Sequence, residues 1–255
     1  MSKLSTSGGK PGRTRQDAGL EPLSETLQLG TRAYRALASG IVGGRIDPGT
    51  QLRPDTIAEQ LEISTTPVRE ALHRLEGDGL LVKLPYQGWF VREFTEQEVR
   101  ELYAMRAAME CFGIRLACGR ITDEELTWLH EHQAVGAAAL RDNDMDAYRL
   151  YNRDLHAAII RAARNSYLSS VMAQLALQSQ MLMAKTIRLA GRPSRAIEEH
   201  QELIDLIAKR QDGPAERLME RHILSALEDI VRFAIREQME KPDDPAEFGT
   251  KTLRR

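Results

Sequence analysis

The sequence predicts a mainly α-helical chain in two parts: a small helical unit closed by a β-hairpin, then an antiparallel bundle of about six helices. Three features predict this. Aromatic residues are only 5% of the 255 while Ala, Leu, Arg and Glu abound, the composition of helices rather than sheets. Side chains that favour strands cluster in one short stretch near residue 90. The length suits two cores better than one.

Charge and composition exclude several classes. A net charge of -2 and a pI near 6.3 rule out a polybasic protein that holds nucleic acid by bulk charge, so any such contact has to be local. No apolar run approaches the roughly 18 residues of a membrane span, and the first residues lack a secretory apolar core. Cys111 and Cys118, seven apart in one predicted helix, cannot bridge without unwinding it, which fits reduced thiols in a cytoplasmic protein. Residues 1–26 and 241–255 are expected to be disordered tails, the first polar, cationic and Gly/Ser-rich.

Apolar residues from Leu27 to Val42 recur at helical spacing and stop at Gly43-Gly44. Asp47-Pro48-Gly49 is then a turn. Pro54-Asp55 opens a second helix, Ser64 is placed to cap a third through Leu75, and Gly77 and Gly79 end it. Residues 80–84 and 89–92 flank Pro85-Tyr86-Gln87-Gly88 as a hairpin. This order is that of a winged helix-turn-helix, predicted over residues 27–93. Thr95 to Glu98 forms a capping box, and residues 95–240 read as helices broken near 119–122, 142–144, 164–165, 191–194 and 212–214.

A recognition helix meets the major groove with its N-terminal end, which should carry small or donor-bearing side chains. Ser64, Thr65, Thr66 and Arg69 meet this demand, and Gly88 lets the backbone of the wing approach DNA. The alternative is a helix that merely packs. The stretch Thr66-Pro67-Val68-Arg69-Glu70-Ala71-Leu72, with Leu75-Glu76, Gly79-Leu80 and Gln87-Gly88, resembles the N-terminal signature of the GntR family of bacterial regulators over about residues 28–92. That resemblance implies two subunits on a short palindromic operator in double-stranded DNA, contacted by the recognition-helix N-termini and by wing tips at Gln87 and Gly88. Asp55 and Thr65 stand where family members often carry arginine.

In the bundle, Asn152 and His156 are spaced i, i+4 on one helix face, and His200 and His222 lie on the two helices flanking the turn predicted at 212–214. Three imidazoles and an amide oxygen could converge there on zinc or a neighbouring first-row metal; the alternative is separate core or surface histidines. The segments Tyr103 to Glu110, Asn152 to His156, Glu199 to Ile204 and Arg221 to Ile223 resemble the FCD ligand-binding domain over about residues 95–238. Its metal-binding group places Asp or Asn four residues before one His, with two later His, which implies Asn152, His156, His200 and His222 as ligands. The implied cofactor is a divalent ion, zinc first, with nickel, manganese or iron as alternatives, and the implied effector a small carboxylate.

The resemblance also points Arg106 into the cavity as a carboxylate clamp; its rival role is an i, i+4 pair with Glu110 on a solvated face. Tyr148, one turn before Asn152, is either a hydroxyl donor or packing. Met172, Met181 and Met183 are expected in the bundle core or an interface, and His130 and His132 at the surface. The whole reads as a ligand-responsive homodimeric repressor that is not an enzyme. The alternatives are a metal-dependent hydrolase with Glu199 as base, and an architectural DNA-binding dimer without effector.

Overall fold

The computed structural model describes residues 25–186 and 192–240. The expected tails lie outside them, except that the first helix already begins at Glu25, and Gly191 of the break expected at 191–194 lies outside as well. The first helices are α1 (Glu25–Val42), α2 (Pro54–Leu61) and α3 (Thr65–Gly77), followed by the hairpin β2 (Leu81–Leu84) and β3 (Gly88–Val91). A two-residue strand β1 (Gln51–Leu52), not foreseen, pairs with β3 and makes the order β1-β3-β2. It is too short for a period-2 pattern; tertiary pairing of Leu52 with Trp89 creates it.

The local signals work as chemistry requires. Gly44 and Gly79, at φ +71° and +74°, turn the chain out of α1 and α3. Pro54 opens α2 at its first position, where no amide donor is lost. Ser64 occupies the N-cap of α3, but its side chain makes no capping hydrogen bond, so the hydroxyl stays available. Ala33, Leu37, Ile41, Val68, Leu72, Leu75, Trp89 and Val91 form one apolar core. Trp89 ties wing to helix, its Nε1 donating to Glu76 Oε2 at 3.1 Å and its ring meeting His73 edge-on.

The rest is helical: α4 (Glu96–Arg120), α5 (Asp123–Arg141), α6 (Met145–Ala162), α7 (Ser166–Thr186), α8 (Arg192–Ala208) and α9 (Asp212–Glu240). Both Thr95 and Thr122 close full capping boxes. Tyr103, Ile114, Leu129, Leu155, Ile159, Leu203, Ile207 and Ile223 centre a second apolar core. The turn expected at 212–214 falls earlier: the chain reverses at 209–211, and Gly213-Pro214 lie in the first turn of α9, where proline needs no amide partner. Burial raises the Cys111 and Cys118 thiols to about 11, so neither is a reactive thiolate at neutral pH. No helix among the described residues is long and apolar enough to cross a membrane.

Helix α7 touches both cores. Of the two places expected for Met181, bundle core or an interface, it takes the second, packing from α7 into the core of the winged unit. One and two turns before it, Gln178 and Gln174 donate to the carbonyls of Asp78 and Gly77, at the end of α3.

Gly136 sets the spacing of α5 against α6, because a Cβ there would stand 2.5 Å from ring carbons of Tyr151. A buried ring cannot yield as a flexible chain end does. Gly136→Ala should therefore cost about 1–3 kcal/mol of stability, measured as a lower denaturation midpoint; an unchanged midpoint would show that the two helices separate freely.

Candidate metal centre and nucleic-acid interface

Three helices bring the predicted histidines together. His156 of α6, His200 of α8 and His222 of α9 are 7%, 0% and 3% exposed, and one ring nitrogen from each lies within 4.8 Å of the others. The earlier reversal at 209–211 explains why they meet: counted from Arg210, His200 is ten residues before and His222 twelve after, so antiparallel helices bring them nearly level. His200 Nε2 and His222 Nε2 are 3.3 Å apart.

The proton positions follow from the partners. His222 Nδ1 lies 2.6 Å from Glu199 Oε2, and His156 Nδ1 contacts Glu110 Oε2; carboxylates accept, so each Nδ1 carries the proton. The Tyr151 hydroxyl donates to Gln133 Oε1 and is therefore an acceptor for His200 Nδ1–H at 2.9 Å. Gln133 is fixed in turn, its amide donating to the Ile197 carbonyl at 2.8 Å. All three Nε2 atoms are then lone pairs directed into one another's space.

Burial, then the neighbouring imidazoles and Arg192, hold His200 and His222 well below the ordinary histidine range, so neither is relieved by taking a proton. His156 Nε2 is buried with no hydrogen-bond partner among the described residues. A bound cation removes both problems at once. Two nitrogens held at about 2.1 Å by one first-row ion stand roughly 3.0–3.4 Å apart, the separation His200 and His222 already have. Oriented Nδ1–H donors on carboxylate or hydroxyl are what metal-bound histidines require. The residues present fit a divalent ion.

Asn152, 7% exposed, lines a small cavity with His156, His222, Arg106 and Tyr148. Tyr148 is buried, its hydroxyl 3.4 Å from the Pro193 carbonyl, and burial raises it well above the ordinary tyrosine range, so it remains a donor. Arg106 does pair with Glu110, Nε to Oε1 at 2.6 Å, but the solvated face proposed for that pair is corrected: the residues are 6% and 1% exposed, because α4 is covered there by its neighbours. Burial by itself would raise the Glu110 carboxyl; Arg106 and then His156 outweigh it and hold it far below the carboxylate range. The Nη1 of Arg106 reaches the soft sulfur of Met183 at 3.9 Å, and Arg106 lines a cavity of about 170 Å³ between α6 and α7. Both roles weighed for Arg106 are thus compatible.

Tyr151 and Gln133 carry no sequence signal, and Glu110 and Glu199, though noted in the sequence, were not foreseen as partners of His156 and His222. Glu110, Tyr151 and Gln133 come from three different helices, and Glu199 precedes His200 yet holds His222. Arg192, bonded to the Ser225 hydroxyl and the His222 carbonyl, was also missed. His130 is exposed as expected; His132 is not, since its ring stacks on Trp128 at 4.3 Å and packs against Tyr151.

In the winged unit, Ser64, Thr66 and Arg69 are exposed and Thr65 half-buried at the N-terminal end of α3. Gln87 is exposed in the wing turn, its carbonyl accepting from Gln51 Nε2 at 2.6 Å, and Gly88 has φ +95°, a conformation open to glycine. Tyr86, fully exposed at φ +62°, stands at the wing tip, a residue that strand reasoning passed over.

Residues 29–91 match the family described as bacterial regulatory proteins, gntR family, and residues 101–225 match the FCD domain. The chain belongs to the GntR family and is a transcriptional regulator of the kind that carries an FCD domain. It is similar to the uncharacterized HTH-type transcriptional regulator BphR of Paraburkholderia xenovorans, 26% identical over 229 residues, 86% of this chain and 92% of that protein. It is also similar to the HTH-type transcriptional repressor RspR of Escherichia coli, 24% identical over 208 residues, 82% and 91% of the two chains. The solved structure of E. coli McbR/YncC has the same fold, with TM-score 0.73 at 22% identity over 81% of this chain and 98% of that one. The relatives are regulators, not enzymes, which sets aside the hydrolase alternative; Glu199 is engaged with His222 and Arg192.

In chelator-stripped protein, His200 and His222 stay neutral when folded but take up protons near pH 6.5 when unfolded. Below that value the unfolded chain binds more protons, so their contribution to stability is full above it and is lost as pH falls. The melting temperature should drop between about pH 7.5 and about 5.5, and His222→Gln should flatten the drop. An equal slope in the variant would show that the ring is not held neutral.

Proposed function

We propose that the chain is a cytoplasmic, homodimeric repressor that senses a small carboxylate beside a bound divalent metal ion. Its units are the winged helix-turn-helix of residues 27–93 and the sensor of residues 95–240. The observation that carries the reading is the trio of buried imidazoles with committed Nδ1 protons, opening through Asn152 and His156 onto a cavity walled by Arg106. Zinc suits three nitrogens and an amide oxygen, and nickel, manganese or iron are the alternatives.

Bound there, the ion supplies a concentrated positive charge for a carboxylate oxygen. The chain supplies the rest. Arg106 offers its Nη edge while its Nε remains on Glu110, and Tyr148 can turn its long contact with Pro193 toward the ligand. Asn152 is neutral, so it leaves more of the ion's charge to an anionic effector than aspartate would. Repression is favoured by the relative named a transcriptional repressor.

A second copy is supported by α4, where Met105 and Phe112 are 51% and 38% exposed and share a stripe with Met109 and Leu116. Double-stranded DNA with a palindromic operator is the partner of such a pair, recognition helices about 34 Å apart. Ser64, Thr65, Thr66 and Arg69 contact DNA from α3, and Gln87 and Gly88 from the wing.

Arg69→Ala should weaken operator binding by about 1–3 kcal/mol with the fold intact, read by fluorescence anisotropy at fixed salt; unchanged affinity removes Arg69 from the interface. Untagged protein should contain near one metal equivalent per chain. His200→Ala should lower metal content and effector affinity together while effector-free operator binding survives. Effector affinity that persists after the metal is stripped would refute metal-assisted sensing.

A further inference from the structure

We infer that the effector is a monocarboxylate with an apolar body the size of one ring, an arylcarboxylate of the benzoate class, and not a hydroxylated sugar acid or a tricarboxylate. This rests on the proposed carboxylate-sensing role of the metal centre and names the chemistry of its ligand.

The cavity of about 170 Å³ between α6 and α7 has its charged corner at one end, where Asn152 and His156 stand beside the Arg106–Glu110 pair, and Gln180 lines it from α7. A cavity of ~150 Å³ lined by aliphatic side chains holds one benzene molecule. Beyond that corner the walls are Ala157 and Ile160 from α6 and Met172, Ala173, Ala176 and Met183 from α7. Thioether and methyl groups accept a flat apolar ring readily.

The other polar groups offer little to a polyol. Ser179 and Ser169 already give their hydroxyl protons to the carbonyls of Leu175 and Asn165. Arg153 holds Asp154 at 2.8 Å, and Arg161 is exposed at the outer end of the α6 wall, where it meets water. A sugar acid would strand several hydroxyls against Ile160, Met172 and Ala176, and each unpaired polar group costs affinity. A tricarboxylate would set a second charge on the same surface. A single carboxylate at the corner, with a ring along α7, sets the ligand's only polar group beside Arg106 and Asn152 and its apolar body against Ile160, Met172 and Ala176.

The test uses metal-loaded full-length protein and calorimetric titration with benzoate, gluconate and citrate. Benzoate should bind at least about tenfold more tightly than either of the others. Ala176→Phe, which fills the ring space, should reduce benzoate affinity by about tenfold or more while metal content per chain stays the same. If that variant folds poorly, Met172→Ser is the second, lowering benzoate affinity and leaving the metal in place. Tighter binding of gluconate or citrate overturns the arylcarboxylate class and leaves the carboxylate sensor standing. Benzoate affinity unchanged in both variants overturns the cavity as its site. Failure of all three acids to bind the metal-loaded protein removes the carboxylate-sensing reading as well.

Discussion

Three buried imidazoles with their Nδ1 sides committed to Glu110, Glu199 and Tyr151 turn their Nε2 edges on one another, and the His156 Nε2 finds no hydrogen-bond partner among the described residues. Everything nearby serves this arrangement. Glu110, Glu199 and Tyr151 occupy the Nδ1 protons, Gln133 fixes the direction of the Tyr151 hydroxyl, and Gly136 makes room for the Tyr151 ring. The buried Arg106–Glu110 pair belongs to the same network, since Glu110 bridges the guanidinium to His156. A buried ion pair is a poor source of net stability, because desolvation offsets most of the attraction. Its value here is to fix a ring and a guanidinium at the edge of a cavity.

The same cavity is linked to the winged unit through one helix. On α7, Ser179 and Met183 face the cavity, while Met181 sits in the winged unit's core and Gln174 and Gln178 hold the carbonyls at the end of α3. A ligand of the kind proposed, lying along α7, would act on the helix whose glutamines hold the end of α3. Energetically, such a ligand shifts DNA affinity only by as much as it prefers one arrangement of α7 over another. Packed cores make that difference discrete, because Met181 cannot slide by a fraction of a side chain without opening a void.

Similarity to named regulators and the geometry of the site carry different weight. The family matches define a DNA-binding regulator with an FCD domain. They do not reach an effector; the chemistry proposed for one rests on the lining of a single cavity, where Ile160 and Met172 lie apart from the segments around His156 and His200. Asp55 is exposed and Thr65 half-buried, so neither is fixed by the core of the winged unit.

By itself the sequence determined the elements and their order, because those depend on local chemistry. Proline at the start of α2, glycines after α1 and α3, and threonine capping boxes at Thr95 and Thr122 act within a few residues of themselves. It also singled out Asn152, His156, His200 and His222, since helical period and motif spacing are one-dimensional. Only the tertiary structure decided what those residues touch. The reversal at 209–211 levels His200 with His222, burial turns the Arg106–Glu110 pair from a surface contact into part of the centre, Glu110 reaches His156 and Tyr151 reaches His200 from helices remote in sequence, and Gln133 steadies Tyr151. Strand β1 and the seating of Met181 have the same origin. Their partners lie dozens of residues away, and no local pattern records a contact whose free energy arises only when distant segments pack.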